Sequence, residues 1–231
     1  MLAFANAKIN LGLQVTEKRV DGYHNLDTVF YPVKINDVIE INDAAITSFV
    51  SYGIQIPGDS SDNLCLKAFN VLKKDFDLPS QQITLLKNIP IGAGLGGGSS
   101  DAAALVKLVN EKFGLGLSAS QMEEYVKPLG ADCAFFINNK PVYAQGKGDE
   151  FTLFDIDLSA YQIVVVNPNI HVSTADAYSG IIPTVPVTSV KDLIHLPLKE
   201  WKSCLFNDFE NSVFQKFPKI KDLKDSLYDH G

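Results

Sequence analysis

The sequence predicts a mixed α/β (α+β) protein, on three observations. In "ANAKINLGLQV" the odd positions Ala5, Ala7, Ile9, Leu11, Leu13 and Val15 are apolar while the even ones are polar or glycine, the period-2 pattern of a strand with one buried face. Extended segments of this kind dominate as far as Pro90, and helical periodicity dominates beyond it. Between the two lies "NIPIGAGLGGGSSDAAA" (residues 88–104), a glycine-rich loop that runs straight into a helix.

The elements follow in order. The first strand ends in "TEKRVDGYHN", where Asp21-Gly22 signals a turn, and "LDTVFYPVKI" returns as a second strand. "INDVIEIND" reads as another. "SSDNLCLKAFNVLKKDF" opens at a cap candidate, Ser61 or Asp62, and continues as an amphipathic helix through Leu64, Ala68, Val71 and Leu72. "QITLLKNIP" is a strand ending at Pro90. After the loop, Ser99, Ser100 and Asp101 are N-cap types, and Leu105, Leu108, Val109 and Phe113 recur at helical spacing. Ser118 with Gln121, or Ser120 with Glu123, offers a capping box for the next helix. The first domain is expected to end around Asp149 to Phe151, which divides the chain into 1–153 and 154–231. "YQIVVVNPN" then reads as a new buried strand, Ser173 and Thr174 cap a short helix carrying Tyr178, and the rest is mainly helical. Ordinary packing accounts for Trp201, Leu205, Phe206 and Phe209.

The loop carries the chemistry. Five glycines between Ile91 and Ser99 are costly to order, so they serve positive-φ geometry or close approach to the main chain. At a helix start, open N–H groups and the positive dipole end converge, and phosphate is the anion expected there. Gly92, Gly94 and Gly97 match G-x-G-x-x-G, but no strand follows the helix, which disfavours a dinucleotide-binding unit. A Walker A loop would end in Lys and Ser or Thr, whereas Gly97 is followed by Gly98, Ser99 and Ser100; a cation must come from elsewhere. Protein-kinase signatures are missing as well. Lys8, between Asn6 and Asn10 on the even face of the first strand, belongs either to a solvated face or to the lining of an anionic pocket. Tyr23 and His24, just after the turn, suit packing or the stacking of a planar ligand. Asp132 sits in a small-residue turn before Phe135-Phe136-Ile137 and suits a cap or a chemical base.

Composition narrows the function. With 231 residues and 46% hydrophobic content, the chain has room for one large or two small domains with a proper core. The balance of 20 Lys+Arg against 27 Asp+Glu, with no basic block, disfavours nucleic acid as a partner. Cys65, Cys133 and Cys204 are few, odd in number and widely spaced, as for reduced, packed thiols. No membrane-length apolar run and no metal-ligand spacing among the four histidines is present, and a cytoplasmic protein is the expectation.

"AKINLGLQVTEKRVDGYHNL", "PIGAGLGGGSSDAAA" and "LGADCAFF" resemble, in order and spacing, the GHMP superfamily of small-molecule kinases, and the likeness covers essentially the whole chain. It is strongest to members that phosphorylate a cytidine-diphosphate-linked methylerythritol in non-mevalonate isoprenoid synthesis. The resemblance implies a GHMP kinase fold: an N-terminal domain like ribosomal protein S5 domain 2 and a ferredoxin-like C-terminal domain. It implies ATP as co-substrate, Mg²⁺ with ligands unassigned, and no nucleic-acid or membrane partner. Asp132 would be the general base and Lys8 would keep it ionised. Gly92, Ala93, Gly94, Leu95, Gly96, Gly97, Gly98, Ser99 and Ser100 would cradle phosphates, with Asn63, Leu64 and Lys87 around the adenine. Asn10 and Thr174 would contact substrate, and Tyr23 and Tyr178 would sandwich cytosine while His24 reads its edge. A GHMP kinase for another small alcohol, or a nucleotide-binding protein without turnover, are the alternatives. The family's third glycine motif does not occur before Gly231, so an incomplete C-terminal domain, as in a truncated form or fragment, is expected.

Overall fold

A computed structural model describes residues 1–230; Gly231 lies outside the described residues. The chain forms two compact units, one of Met1–Ile9 with Pro32–Lys140 and the other of Asn10–Tyr31 with Pro141–Gly231. Strands β1 (Leu2–Lys18) and β2 (His24–Asp43) pair with each other and are long enough to serve both units. The units therefore cut the chain differently from the sequence-order division at 153/154. "LDTVFYPVKI" and "INDVIEIND" are one strand, β2, which runs unbroken through Pro32, Asn36 and Asp37.

In the first unit, β2 pairs antiparallel with β4 (Gln81–Lys87), with Ile41 opposite Ile83 and Ile39 opposite Leu85. Strand β3 (Ser48–Gly53) runs parallel to β4. All four of those aliphatic side chains are fully buried, and each contributes about 1.5–3 kcal/mol by leaving water. Helix α1 (Leu64–Asp75) packs on α2 (Gly97–Phe113). The cap of α1 is Asn63, whose side chain accepts from Cys65 N at 2.9 Å. The expected candidates Ser61 and Asp62 instead form a separate 3-10 turn, Ser60–Asp62, capped by Asp59. Helix α2 is buried nearly all round from Ser100 to Val106. It is followed by α3 (Ala119–Val126), which starts with the Ser118–Gln121 capping box, and by the single turn α4 (Phe135–Asn138).

In the second unit, the start of β2 pairs antiparallel with β5 (Val142–Gln145), and β5 with β6 (Glu150–Leu153). Five helices follow: α5 (Thr174–Tyr178), α6 (Val190–Leu193), α7 (Leu198–Cys204), α8 (Phe209–Lys216) and α9 (Pro218–Asp229). One core gathers Val29, Tyr143, Phe154, Val190 and Ile194, with Trp201 and Leu205 against it. A second gathers Leu13, Val15 and Leu26 with Tyr178 and Phe209 against it. Phe206 departs from the packing expected of it: its ring is 54% exposed, and the segment is held by its carbonyl, which accepts from Leu13 N at 2.9 Å. The strand expected over "YQIVVVNPN" does not form either. No strand among the described residues pairs with 161–169, and Val164 is 81% exposed; β propensity without a neighbour to take the backbone hydrogen bonds does not make a strand. Among the described residues no helix is long and apolar enough to cross a membrane.

Candidate active site

The glycine loop spans Ile91–Gly96, and Gly92, Gly94 and Gly96 alternate at positive φ of 69°, 72° and 68°. This alternation turns successive peptide N–H groups toward one side, an anion-binding arrangement. Buried Leu95 pins the loop inward, and its carbonyl accepts from Lys8 N at 2.9 Å. The N-cap of α2 is Gly96 rather than Ser99, Ser100 or Asp101, which sit inside the first turns. No side chain caps this end, so the first N–H groups of the helix stay available to a ligand. The loop walls a cavity of about 530 Å³.

Gly96 tolerates no side chain. A Cβ there would lie 2.8 Å from the Phe136 ring and 3.1 Å from Lys8 Cγ, at a φ that L-residues avoid. Gly96→Ala is therefore expected to destabilise the first unit by about 1–3 kcal/mol and to weaken nucleotide affinity at least tenfold. Thermal melts and nucleotide titrations check both.

The structure places Lys8 and Asp132 in the same unit as this loop. Lys8 is only 7% exposed, so its side chain is not part of a solvated surface. Burial lowers the Lys8 pKa below its ordinary 10.5, and the nearby Asp132 charge pulls it partly back up. Asp132 lies in the turn expected of it, where Ser99 Oγ of the α2 first turn donates to its Oδ1 at 2.6 Å. That contact ties the first turn of α2 to the Asp132 turn. Cys133 beside it is buried, its thiol pushed up to about 11 by desolvation and thus neutral.

Asn63 and Leu64 line the cavity wall. So does Lys87, but its ammonium is committed elsewhere. Nζ donates to Asp37 Oδ2 and to Asp101 Oδ2 (2.7 Å), all three side chains being buried. Asp37 and Asp101 were missed as partners by sequence reasoning. A signal was present: Lys87 falls in the buried phase of β4 after Gln81, Ile83 and Leu85, and a lysine there requires carboxylates.

The second unit holds the remaining residues. His24 stacks on Tyr178 with centroids 4.9 Å apart and planes at 27°, and Tyr178 meets Phe209 edge-on at 4.7 Å. Tyr23 is 60% exposed, with the Lys147 ammonium 5.0 Å over its ring. His24, not Tyr23, is thus the ring facing Tyr178. Asn10 Nδ2 donates to Thr28 Oγ1 at 2.9 Å, and Thr28 Oγ1 to the Gly12 carbonyl at 2.6 Å. Thr174, exposed, opens α5 behind the Ser173 cap.

No group of three or more His, Cys, Asp or Glu side chains among the described residues could by itself hold a metal ion. The three cysteines are all free.

Residues 63–140 match the family of GHMP kinase N-terminal domains. The chain is 52% identical over 236 residues to a 4-diphosphocytidyl-2-C-methyl-D-erythritol kinase of Bacteroides fragilis, covering all of this chain and 86% of the relative. It is also 52% identical to the enzyme of that name from Cytophaga hutchinsonii, with the same coverage. A crystal structure of 4-(cytidine 5'-diphospho)-2C-methyl-D-erythritol kinase superposes with a TM-score of 0.74 at 26% identity, covering 99% of this chain and 83% of that one. The Methanococcus jannaschii mevalonate kinase, at 14% identity, 67% and 56% coverage and a TM-score of 0.50, shares the fold. With its glycine loop, its buried lysine and its aspartate turn carried on a GHMP kinase fold, the chain belongs to the 4-diphosphocytidyl-2-C-methyl-D-erythritol kinase family.

Proposed function

We propose that this chain transfers the γ-phosphoryl group of ATP, bound as its Mg²⁺ complex, to the 2-hydroxyl of 4-diphosphocytidyl-2-C-methyl-D-erythritol. The observation that carries the reading is the Ser99–Asp132 hydrogen bond: it puts a carboxylate beside an uncapped phosphate-type loop, with the buried Lys8 charge close enough to be felt. Mg²⁺ bound with the nucleotide would supply charge neutralisation on the phosphates; the chain's own residues do the rest.

In this reading the loop amides and the α2 N-terminus hold the polyphosphate through its oxygens. Asp132 takes the proton of the acceptor hydroxyl as its oxygen forms a bond to Pγ, while the bond from Pγ to the β-phosphate oxygen breaks and ADP leaves. Phosphoryl transfer depends on alignment and charge stabilisation more than on covalent help. Lys8 keeps the carboxylate ionised and orients the hydroxyl. The His24–Tyr178 pair offers an aromatic face to cytosine, and Asn10 and Thr174 are the other substrate contacts we assign. ATP as co-substrate and three free thiols fit a cytoplasmic setting.

Tyr178→Leu keeps apolar bulk against Phe209 but removes the stacking face. It is expected to raise KM for the cytidine-linked substrate about tenfold with little change in kcat, since base stacking contributes about 1–3 kcal/mol. The reading itself is tested by ADP release against a panel of alcohols. Turnover with the cytidine-linked polyol and none with mevalonate or homoserine supports it; the reverse preference overturns it.

A further inference from the structure

We infer that Asp101 is a proton-linked positioning residue of the phosphate loop: the buried Asp37–Lys87–Asp101 cluster anchors the start of α2, and nucleotide binding draws a proton onto it. The inference rests on the nucleotide-site reading above.

Three segments meet at the cluster. Lys87 ends β4 and is 3% exposed. Asp37 belongs to β2, and besides Lys87 its carboxylate accepts from Asn88 N at 2.6 Å and Ile89 N at 2.8 Å, so it fixes the chain as it leaves β4 for the loop. Asp101 lies on α2, where its Oδ2 accepts from Lys87 at 2.7 Å. A Cβ added to Gly97 would be 2.9 Å from Lys87 Nζ, so the ammonium lies against the first residue of the helix whose N–H groups face the cavity.

The charges do not balance. Two carboxylates share one ammonium, so with both ionised the cluster carries one negative charge where a polyphosphate is to be seated. The two acids are also unequally solvated: Asp37 accepts three hydrogen bonds, whereas Asp101 Oδ1 is buried with no hydrogen-bond partner. Asp101 is therefore the acid that costs more to keep ionised. Its pKa is raised to about 7, by desolvation first and by Asp37 further, with Lys87 opposing. The other titratable group facing it, Cys65 on α1, is buried and pushed well up, so it stays neutral. An arriving polyphosphate repels the ionised form and stabilises the protonated one, so binding takes up a proton near neutrality. By the same linkage, affinity falls as pH rises through the titration of Asp101.

The test is calorimetric titration of the full chain with a non-hydrolysable Mg²⁺–ATP analogue from pH 6 to 9, in buffers of differing ionisation heat, for wild type and Asp101→Asn. Wild type should take up protons beyond those of the nucleotide itself and bind roughly three- to tenfold more weakly at pH 9 than at pH 6.5. Asp101→Asn should lose both effects while still binding. Identical proton counts and pH profiles in the two proteins would overturn the inference, whereas failure of wild type to bind the analogue at any pH would overturn the nucleotide-site reading instead. If Asp101→Asn does not fold, the ¹³C-carboxyl titration of Asp101 in wild type decides. A midpoint that rises when the analogue is added supports the inference, and an unmoved midpoint refutes it.

Discussion

Asp132→Asn is expected to lower kcat by about 10²–10⁴-fold while nucleotide affinity stays within about threefold of wild type. The substitution is nearly isosteric, and the amide oxygen can still accept from Ser99 Oγ, which now holds Asp132 Oδ1 at 2.6 Å. What is lost is the capacity to take a proton from the acceptor hydroxyl and the negative charge that pairs with Lys8. In the proposed reading the loop amides and the α2 N–H groups seat the phosphates, and the near-isosteric amide keeps the Ser99 contact that ties Asp132 to α2, so the loss should fall on turnover. Steady-state rates together with nucleotide titrations separate the two. A variant retaining wild-type kcat would remove Asp132 from the chemistry.

Lys8→Met should cost about 10²–10³-fold in kcat, by leaving the base without its charge partner and the developing phosphoryl charge without a buried cation. Methionine preserves most of the aliphatic stem that packs beneath Gly96, so folding should survive. The pH profile supplies a second readout. Burial holds Lys8 below its ordinary pKa of 10.5. Its charge is therefore lost earlier, as pH rises, than that of a solvated lysine. The wild-type rate should fall with it, and the residual rate of Lys8→Met should not.

Much of this was legible in residue patterns. Period-2 alternation marked β1 with its apolar phase, and Ala5, Ala7, Leu13 and Val15 are buried as that phase requires. The glycine loop and the Ser118–Gln121 box were readable because each depends on local backbone chemistry. Long-range pairing is where sequence reading stopped. "YQIVVVNPN" has the composition of a strand, yet strands are made by neighbours, and none is present among the described residues. Lys87 was visible as a polar residue in a buried phase, but its partners come from β2 and α2, 50 and 14 residues away. Ser99 looked like a cap because caps are a local motif; only the fold brings Asp132, 33 residues on, to its hydroxyl. Tyr23 was expected opposite Tyr178 and His24 at the base edge, whereas His24 is the ring stacked on Tyr178 and Tyr23 lies under the Lys147 ammonium.

The most direct measurement is the ³¹P NMR spectrum of the purified chain incubated with ATP, Mg²⁺ and 4-diphosphocytidyl-2-C-methyl-D-erythritol. The account predicts that the γ-phosphate resonance of ATP is replaced by a new phosphomonoester in step with ADP, and that Asp132→Asn suppresses the change. ATP left intact beside the unaltered acceptor, or ATP converted only to ADP and inorganic phosphate, would contradict it.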